Sequence, residues 1–287
     1  MKIKQIAKIH GGQDGAIFGD FLFRFNHQGE CFVYDLKTVG EDPEKELPQF
    51  SSFVLDGVEK LKPHSNSVAF GSEYAEEGDE FPLLYANIYN NYAKSENPLK
   101  GVCLVYRLQR EGDRFFTTFV QMIEIGFVED TNLWRSEEKE DVRPYGNFVI
   151  DTERNLLYAF NMMDQNKITR YFAFDLPKLS DGVLNETYGV KKVVLEEKDI
   201  KVSFDCPYHN FMQGACCHKG KVYSVEGFEK DTDIVPGLRI VDTLTQKQVE
   251  YVHFPSFGLD FEPEWIDFYE DTCYYIDGYG GVFVLSM

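Results

Sequence analysis

The stretch that decides the fold is Asp20-Phe21-Leu22-Phe23-Arg24-Phe25, then Asn26-His27-Gln28-Gly29, then Glu30-Cys31-Phe32-Val33-Tyr34-Asp35-Leu36. Aromatic and β-branched residues favour pleated strands over helices. The short polar segment that ends in glycine between two such runs is typical of a hairpin turn. The stretch therefore predicts two antiparallel strands joined by a tight connection.

The same strand–turn–strand pattern recurs along the chain. It returns at 155–176, at 221–242 and at 272–285. No window of about 15 residues shows the apolar period of ~3.6 residues that an amphipathic helix requires. The repetition predicts an all-β repeat protein.

Alignment of the copies predicts a five-bladed β-propeller with four-stranded blades, in one domain that spans residues 1–287. The blades are expected at roughly 11–56, 57–128, 143–200, 206–257 and 258–287 plus 1–10. The third blade is expected to use strands at 145–151, 155–161, 168–175 and 190–195. The last copy has only three strands, so the N-terminal strand at Lys2 to Ile9 is predicted to pair with the C-terminal blade and close the ring.

Two other folds agree with part of the sequence pattern. A β-sandwich would also have short strands with frequent turns. It would not explain why the incomplete last repeat is complemented by the first strand. A six-bladed ring would need another blade within 115–145, where Glu129 to Asp141 is rich in charge and lacks paired strands, so we expect a surface loop there.

Charge and hydropathy limit the partners and the location of the protein. The chain of 287 residues carries 29 Lys and Arg against 48 Asp and Glu, which gives a net charge of −19. Binding to nucleic acid or to an anionic membrane depends on basic residues, so neither partner is expected. The N-terminus has no uninterrupted apolar segment, and no stretch approaches the ~20 apolar residues of a membrane span. We therefore expect a soluble cytoplasmic protein.

The cysteines are expected to be reduced thiols, because none belongs to a Cys-x-x-Cys pair of the zinc or redox type. They are Cys31, Cys103, Cys206, Cys216, Cys217 and Cys273. The neighbours Cys216 and Cys217 are expected on opposite faces of a buried strand.

Polar residues stand at the start of every predicted blade. The first strand of each propeller blade lines the central channel, so these starts are expected to converge at one channel mouth. The candidate ligand-binding residues of this rim are Gln13, Asp14, His64, Asn66, Asn147, Gln213, Glu262 and Glu264. No Lys or Arg stands at a blade start, so no cation is expected beside Asp14 or Glu264.

The chemistry of these residues admits several uses. Blades one and five are neighbours in a closed ring, which would bring Asp14 close to Glu264. Two neighbouring carboxyl groups can divide the roles of acid and base, or bind a hard cation such as Ca²⁺ together with amide oxygens. Polar residues of a channel also pair simply with one another and with ordered water. Motifs of zincins, α/β-hydrolases, phosphate loops and dinucleotide-binding proteins are absent from the sequence.

Five short motifs occur in a specific order: Gln-x-Gly at 13–15, His-x-Asn at 64–66, Pro-Leu-Leu-Tyr at 82–85, Gln-Gly at 213–214 and Glu-Pro-Glu at 262–264. In this order the chain resembles uncharacterised bacterial single-domain five-bladed β-propeller proteins. It is distantly similar to propellers of the phage receptor-binding and teichoic-acid-synthesis type. The resemblance covers essentially the whole chain and implies the fold, without a settled activity.

The chain is also similar in architecture to the five-bladed glycosidases. That resemblance implies three acidic residues on separate inner strands, including those of blades two and three. In this sequence His64, Asn66 and Asn147 occupy those positions, which argues against glycosidase chemistry.

Three functions remain open at this point. The first is a propeller that binds a small polar ligand, a saccharide among the candidates, or a cation at the channel mouth. The second is a glycoside hydrolase or lyase-type enzyme that uses the channel carboxylates Asp14, Glu262 or Glu264. The third is a protein-interaction scaffold that uses the acidic outer rim. The inner-strand residues favour binding, since glycoside hydrolysis needs a well-placed carboxyl pair.

Overall fold

The chain folds into five β-sheets arranged as the blades of a propeller. The structure, a computed structural model, describes residues 1–40, 42–61, 63, 67–88, 101–125, 148–163, 168–207 and 209–286. His64, Asn66, Asn147 and the predicted loop at 129–141 lie outside these residues. Helical structure in the described part amounts to α1 (Val58–Leu61) and short 3₁₀ turns at Leu36–Thr38, Glu197–Asp199 and Phe254–Phe257.

The strands follow one another in the order that the repeats predict. Blade one contains β2 (Gly15–Phe18), β3 (Phe21–Phe25), β4 (Glu30–Asp35) and β5 (Gln49–Val54), while β1 (Lys2–Lys8) precedes it. Blade two contains β6 (Val68–Phe70), β7 (Leu84–Ile88), β8 (Val102–Glu111) and β9 (Arg114–Ile125). Blade three begins with β10 (Phe148–Asp151), β11 (Leu156–Met163) and β12 (Ile168–Asp175), and the chain continues through β13 (Val183–Asn185), β14 (Val190–Leu195) and β15 (Val202–Pro207).

The two remaining blades have regular antiparallel order. Blade four contains β16 (Met212–His218), β17 (Lys221–Glu226), β18 (Gly237–Asp242) and β19 (Lys247–His253). Blade five contains β20 (Pro263–Tyr269), β21 (Thr272–Asp277) and β22 (Gly281–Ser286). Strand β1 lies antiparallel to β22, with Lys2 opposite Ser286 and Lys8 opposite Gly281. The last sheet therefore has four strands, and its outermost strand comes from the other end of the chain.

The predicted fourth strand of blade three was wrong. Strand β14, at 190–195, pairs in parallel with β9 of blade two, and β13 extends that sheet to six strands. The outer strand of blade three is β15, which pairs with β12, so this blade reaches beyond the predicted limit at residue 200. Residues 190–195 and residues 202–207 both have the alternating pattern of a strand. Which of them completes blade three is decided only by contacts with residues distant in sequence. The Lys192 Nζ, for example, lies 2.7 Å from Oε2 of Glu124.

Apolar side chains fill the spaces between neighbouring blades. Because side chains alternate along a strand, each blade contributes one face to each of its two neighbours. Among the described residues the core has five clusters, represented by Phe23 with Leu84, Val105 with Phe172, Tyr171 with Val241, Ile240 with Tyr275, and Leu22 with Trp265. The inner strands also touch in sequence around the axis, and β20 contacts β2. This arrangement gathers the starts of the inner strands at one end of the molecule.

The adjacent cysteines Cys216 and Cys217 lie on opposite faces of β16, as the alternation of side chains along a strand predicts. Cys216 packs between blades four and five, whereas Cys217 packs between blades three and four. Both are free thiols.

Candidate functional site

Irregular strand pairing marks the starts of three inner strands. The register of β16 against β17 shifts across Gln213, and the register of β20 against β21 shifts across Glu264. In blade one, the amide of Phe25 donates to the carbonyl of Asp14 (3.0 Å), and its carbonyl accepts from the amide of Gln13 (2.7 Å). Each case places an extra residue in the inner strand, which is a β-bulge. Bulges re-aim side chains and are frequent beside active sites.

The side chains at these bulges contact one another. The Nε2 of Gln13 lies 3.5 Å from Oε1 of Glu264, and the Gln213 amide donates a short hydrogen bond to Oε1 of Glu262. Gly214 is close to the same group, since a Cβ on Gly214 would lie 3.1 Å from Oδ1 of Asp14. The five described residues of the predicted rim are therefore neighbours. His64, Asn66 and Asn147 lie outside the described residues and stay predictions.

Arg24 is the site residue that the sequence analysis missed. It lies on β3 opposite Gly15, and its side chain is completely buried. Its Nη2 donates to the carbonyl of Gly12 at 2.5 Å. A Cβ on Gly12 would lie 3.1 Å from the Nε of Arg24, so the glycine leaves room for the guanidinium.

The expectation that no cation lies beside Asp14 or Glu264 was therefore wrong. The positive charge of Arg24 acts on Asp14, Glu264 and Asp277, although burial lowers the pKa of Arg24 itself. The residue escaped notice because it belongs to the second strand of its blade and not to a blade start. The sequence does contain one signal for this residue, a charged side chain between Phe23 and Phe25 in an otherwise apolar strand. Both faces of that strand pack against neighbouring blades, so Arg24 is buried.

The carboxyl groups of the site hold their protons more tightly than usual. Burial raises the pKa of Glu264 to about 8; the charge of Arg24 opposes this rise, and Glu262 and Asp277 add to it. Burial also raises the pKa of Asp14 well above its usual range, and the nearby backbone amides of Val68 and Gly15 oppose this rise. At neutral pH Glu264 is therefore mostly a neutral acid, which donates a hydrogen bond as well as accepting one.

Several buried polar atoms of this group have no hydrogen-bond partner within the described part of the chain. Oδ2 of Asp14 accepts from the amide of Val68 at 2.6 Å, but Oδ1 accepts nothing. The Nε and Nη1 of Arg24 likewise donate to nothing. Buried polar groups are nearly always paired in proteins, by protein atoms, by water or by a ligand. These atoms are therefore suited to a bound polar molecule or to ordered water.

The described residues contain neither a metal-binding cluster nor a membrane-spanning helix. No group of three or more His, Cys, Asp or Glu side chains there has an arrangement that would hold a metal ion. In the same residues, no helix has the length and apolar character needed to cross a membrane.

Comparison with known proteins identifies the fold and leaves the activity open. No protein-family model matches the sequence, and no curated protein does. The similarity to phage receptor-binding and teichoic-acid-synthesis propellers thus has no support from a sequence family. Among solved structures, the glutaminyl cyclase of Myxococcus xanthus aligns with 100% of this chain and 94% of its own at 8% identity and a TM-score of 0.51.

Two further structures align over almost their full length. The β-propeller domain of Cps50 (Swd1) from Myceliophteria thermophila aligns over 99% of both chains, at 10% identity and a TM-score of 0.45. The computationally designed protein Ika8 aligns over 99% of this chain and 100% of its own, at 9% identity and a TM-score of 0.37. At such identities the similarity concerns the fold alone, and function has to be argued from the site.

Proposed function

We propose that this protein binds a small, uncharged polar ligand at the channel mouth where the inner strands begin, with saccharides as the leading class. One observation supports this most directly: the same bulge occurs at the start of the inner strand in blades four and five. It takes Gln213 and Glu264 out of the regular ladder and leaves them beside Glu262 and Gln13.

The donors and acceptors of the rim match hydroxyl groups. The amides of Gln13 and Gln213 each donate and accept, protonated Glu264 does the same, and Glu262 accepts. A sugar hydroxyl also donates and accepts, so it can bridge any two of these groups. An anionic ligand would meet several carboxyl groups, and a hard cation would first have to displace the proton of Glu264. An uncharged ligand avoids both costs.

The unpaired atoms of Asp14 and Arg24 add to this argument. A buried donor or acceptor without a partner costs about 1–3 kcal/mol. A ligand that supplied hydroxyl groups to Oδ1 of Asp14 or to the free N–H groups of Arg24 would recover this energy on binding. Ordered water would recover it as well, and the experiment has to separate the two.

The test is thermal unfolding in the presence of a defined panel. The panel contains pentoses, hexoses, N-acetylhexosamines and sugar alcohols at ~10–50 mM, with CaCl₂ as the cation probe. A ligand that binds only the folded state raises the melting temperature of the wild type by mass action. Gln213→Ala and Glu264→Gln should lose this response. The exposed variants Gln28→Ala and Glu59→Gln, matched in chemistry, should retain it.

Three results would contradict the proposal. A response to CaCl₂ alone, lost in Glu264→Gln, would make the rim a cation site. An equal response of all variants would place the ligand elsewhere. No response across the panel would mean that water alone fills the rim and that the polar residues serve only structure.

An acid–base enzyme is the second candidate, and the two glutamates favour it. Glu264 is deeply buried with a pKa of about 8, while Glu262 is partly exposed and its pKa is raised less strongly. Carboxyl groups with separated pKa values are suited to the roles of acid and base. The test is turnover of p-nitrophenyl glycosides and, because of the cyclase that shares this fold, of a glutaminyl peptide. Turnover lost by ~100-fold or more in Glu264→Gln would support an enzyme.

The acidic interaction scaffold and the cytoplasmic location remain predictions from composition. The net charge of −19 supports a scaffold only in general terms, because it identifies no surface.

A further inference from the structure

A separate cavity lies where the inner strands end, and we call it the exit cavity. Its volume is about 540 Å³, and residues from all five inner strands line it. Small-molecule sites typically enclose ~300–1,000 Å³, so the cavity has room for a compact ligand. It is displaced from Glu264, because Asp267 in its wall follows Glu264 on β20 by three residues, a distance of ~10 Å along a strand. Its wall approaches the rim at Val68, whose amide donates to Asp14.

Asp267 is the acidic group fixed in this wall. Its Oδ2 accepts from the amide of Ile17 at 3.1 Å, and its Oδ1 accepts from the amide of Phe268 at 2.8 Å. These two bonds hold the carboxyl group in place between blades one and five. Each oxygen keeps a further lone pair as an acceptor. Burial raises the pKa of Asp267 to about 7, against the two amide bonds.

The rest of the wall is mainly aromatic and apolar. None of the described lining residues is a lysine or an arginine. The aromatic members are Phe18, Phe70, Phe268 and Tyr269; the other ionisable members are Cys216, Cys217, His218 and Glu270. The His218 ring stacks on Phe268 with centroids 4.1 Å apart, and its Nε2 lies 3.3 Å from the exposed Asp271. The imidazole is therefore already engaged with two protein groups.

We propose that the exit cavity binds a primary amine with a compact apolar group, with the ammonium on Asp267 and the apolar part against the aromatic rings. An ammonium has three donors and no acceptor, which suits a carboxylate with free lone pairs. Aromatic faces attract cations, and a protein with a net charge of −19 concentrates them near its surface. A carboxylate ligand would be repelled by Asp267 and Glu270. The inference is independent of the function proposed for the rim.

The experiment compares benzylamine with benzyl alcohol, which have the same shape and differ in charge at pH 7.5. In calorimetric titrations of the wild type, benzylamine should bind ~10-fold more tightly or better. Asp267→Asn should weaken benzylamine binding by ~10–100-fold, the range for a hydrogen bond to a charged group, and leave benzyl alcohol unchanged. The control Asp175→Asn removes a carboxylate with 70% side-chain exposure that lies outside the cavity wall, and this variant should bind benzylamine normally, as should Glu264→Gln.

A second measurement needs no variant, in case Asp267→Asn does not fold. In nitrogen-15 spectra of the wild type, benzylamine should shift the amide signals of Ile17 and Phe268, which donate to Asp267. Equal affinity for the amine and the alcohol would overturn the proposal. So would benzylamine binding that is lost in Glu264→Gln and kept in Asp267→Asn, or no benzylamine binding up to ~10 mM.

Discussion

Gln13 and Glu264 are 251 residues apart in sequence, yet the Nε2 of one lies 3.5 Å from the Oε1 of the other. The contact exists because blade five packs against blade one, where Leu22 and Trp265 share one apolar cluster. The contact between these two rim residues therefore depends on a junction between the two ends of the chain. A change that loosens this junction should affect both stability and the rim.

Deletion of residues 1–9 tests this dependence. It removes β1 from β22, exposes an open sheet edge and takes the buried Ala7 and Ile9 out of the core. Because a fully buried aliphatic side chain contributes ~1.5–3 kcal/mol, we expect a loss of at least ~3 kcal/mol in the free energy of unfolding by urea. The exposed Lys4→Ala should change it by less than ~0.5 kcal/mol. An unchanged urea midpoint after the deletion would show that β1 does not stabilise the ring.

Gly214→Ala should destabilise the junction between the inner strands of blades four and five. A Cβ at this position would lie 2.5 Å from the carbonyl oxygen of Glu264, and this backbone atom cannot move without shifting β20. Overpacking of this kind costs ~1–3 kcal/mol. The matched control is Gly40→Ala, whose Cβ would meet no atom within 4 Å. Chemical unfolding of both variants measures the difference; a cost no larger than that of the control would contradict the close approach.

The ion pair between Glu226 and Arg239 offers a stability test in the interior of blade four. Both side chains are buried, with Nη2 of Arg239 3.0 Å from Oε2 of Glu226 and Nη1 2.8 Å from Oγ1 of Thr169. Arg239→Met leaves a buried carboxyl group without its cation and should cost ~3–5 kcal/mol. The double variant Arg239→Met/Glu226→Leu should recover much of this loss in urea unfolding.

The control for that test is an exposed pair. Lys37 lies 2.5 Å from Asp20 at the surface, and Lys37→Met should cost less than ~1 kcal/mol. A double variant as unstable as Arg239→Met alone would mean that lost packing, and not the unpaired charge, causes the effect.

The blades were predictable from the sequence because their pattern is local. In 20–36 the alternation of apolar residues and the turn between them determine two strands, and those strands form there. The sheet that β14 joins was not predictable, because its parallel partner β9 is about seventy residues earlier in the chain. Alternation identifies a strand and does not identify its neighbour.

The candidate site was predictable in position and only partly in chemistry. Equivalent positions at the blade starts predicted that five described residues lie close together, and the structure places them as neighbours: Gln13, Asp14, Gln213, Glu262 and Glu264. The bulges at Gln213 and Glu264 were not predictable, since a bulge is defined by register against a second strand. Arg24 was not predictable from the blade starts, because it lies on the second strand of its blade and its long side chain extends from there to the carboxyl groups of the site.

The protonation of Glu264 leads to a prediction about pH. In the unfolded chain this carboxyl group ionises near its ordinary pKa of 4.5, and in the folded protein near 8. Between these values the folded state binds more protons than the unfolded state, so this group makes stability fall as the pH rises through the window. Each pKa unit corresponds to about 1.4 kcal/mol, so the contribution of Glu264 amounts to a few kcal/mol.

Glu264→Gln keeps the shape of the side chain and removes its titration. Its free energy of unfolding should therefore fall less steeply than that of the wild type from pH 5 to pH 8, and should exceed the wild-type value at pH 8. Asp14 and Asp267 titrate in the same direction and stay in both proteins, so the difference between the two curves isolates Glu264. Glu59→Gln, at an exposed position, should run parallel to the wild type. Urea unfolding at half-unit pH intervals measures all three curves. Parallel curves for Glu264→Gln and the wild type would show that Glu264 is already ionised at neutral pH. The proposed ligand chemistry would then lack the hydrogen-bond donor on which it relies.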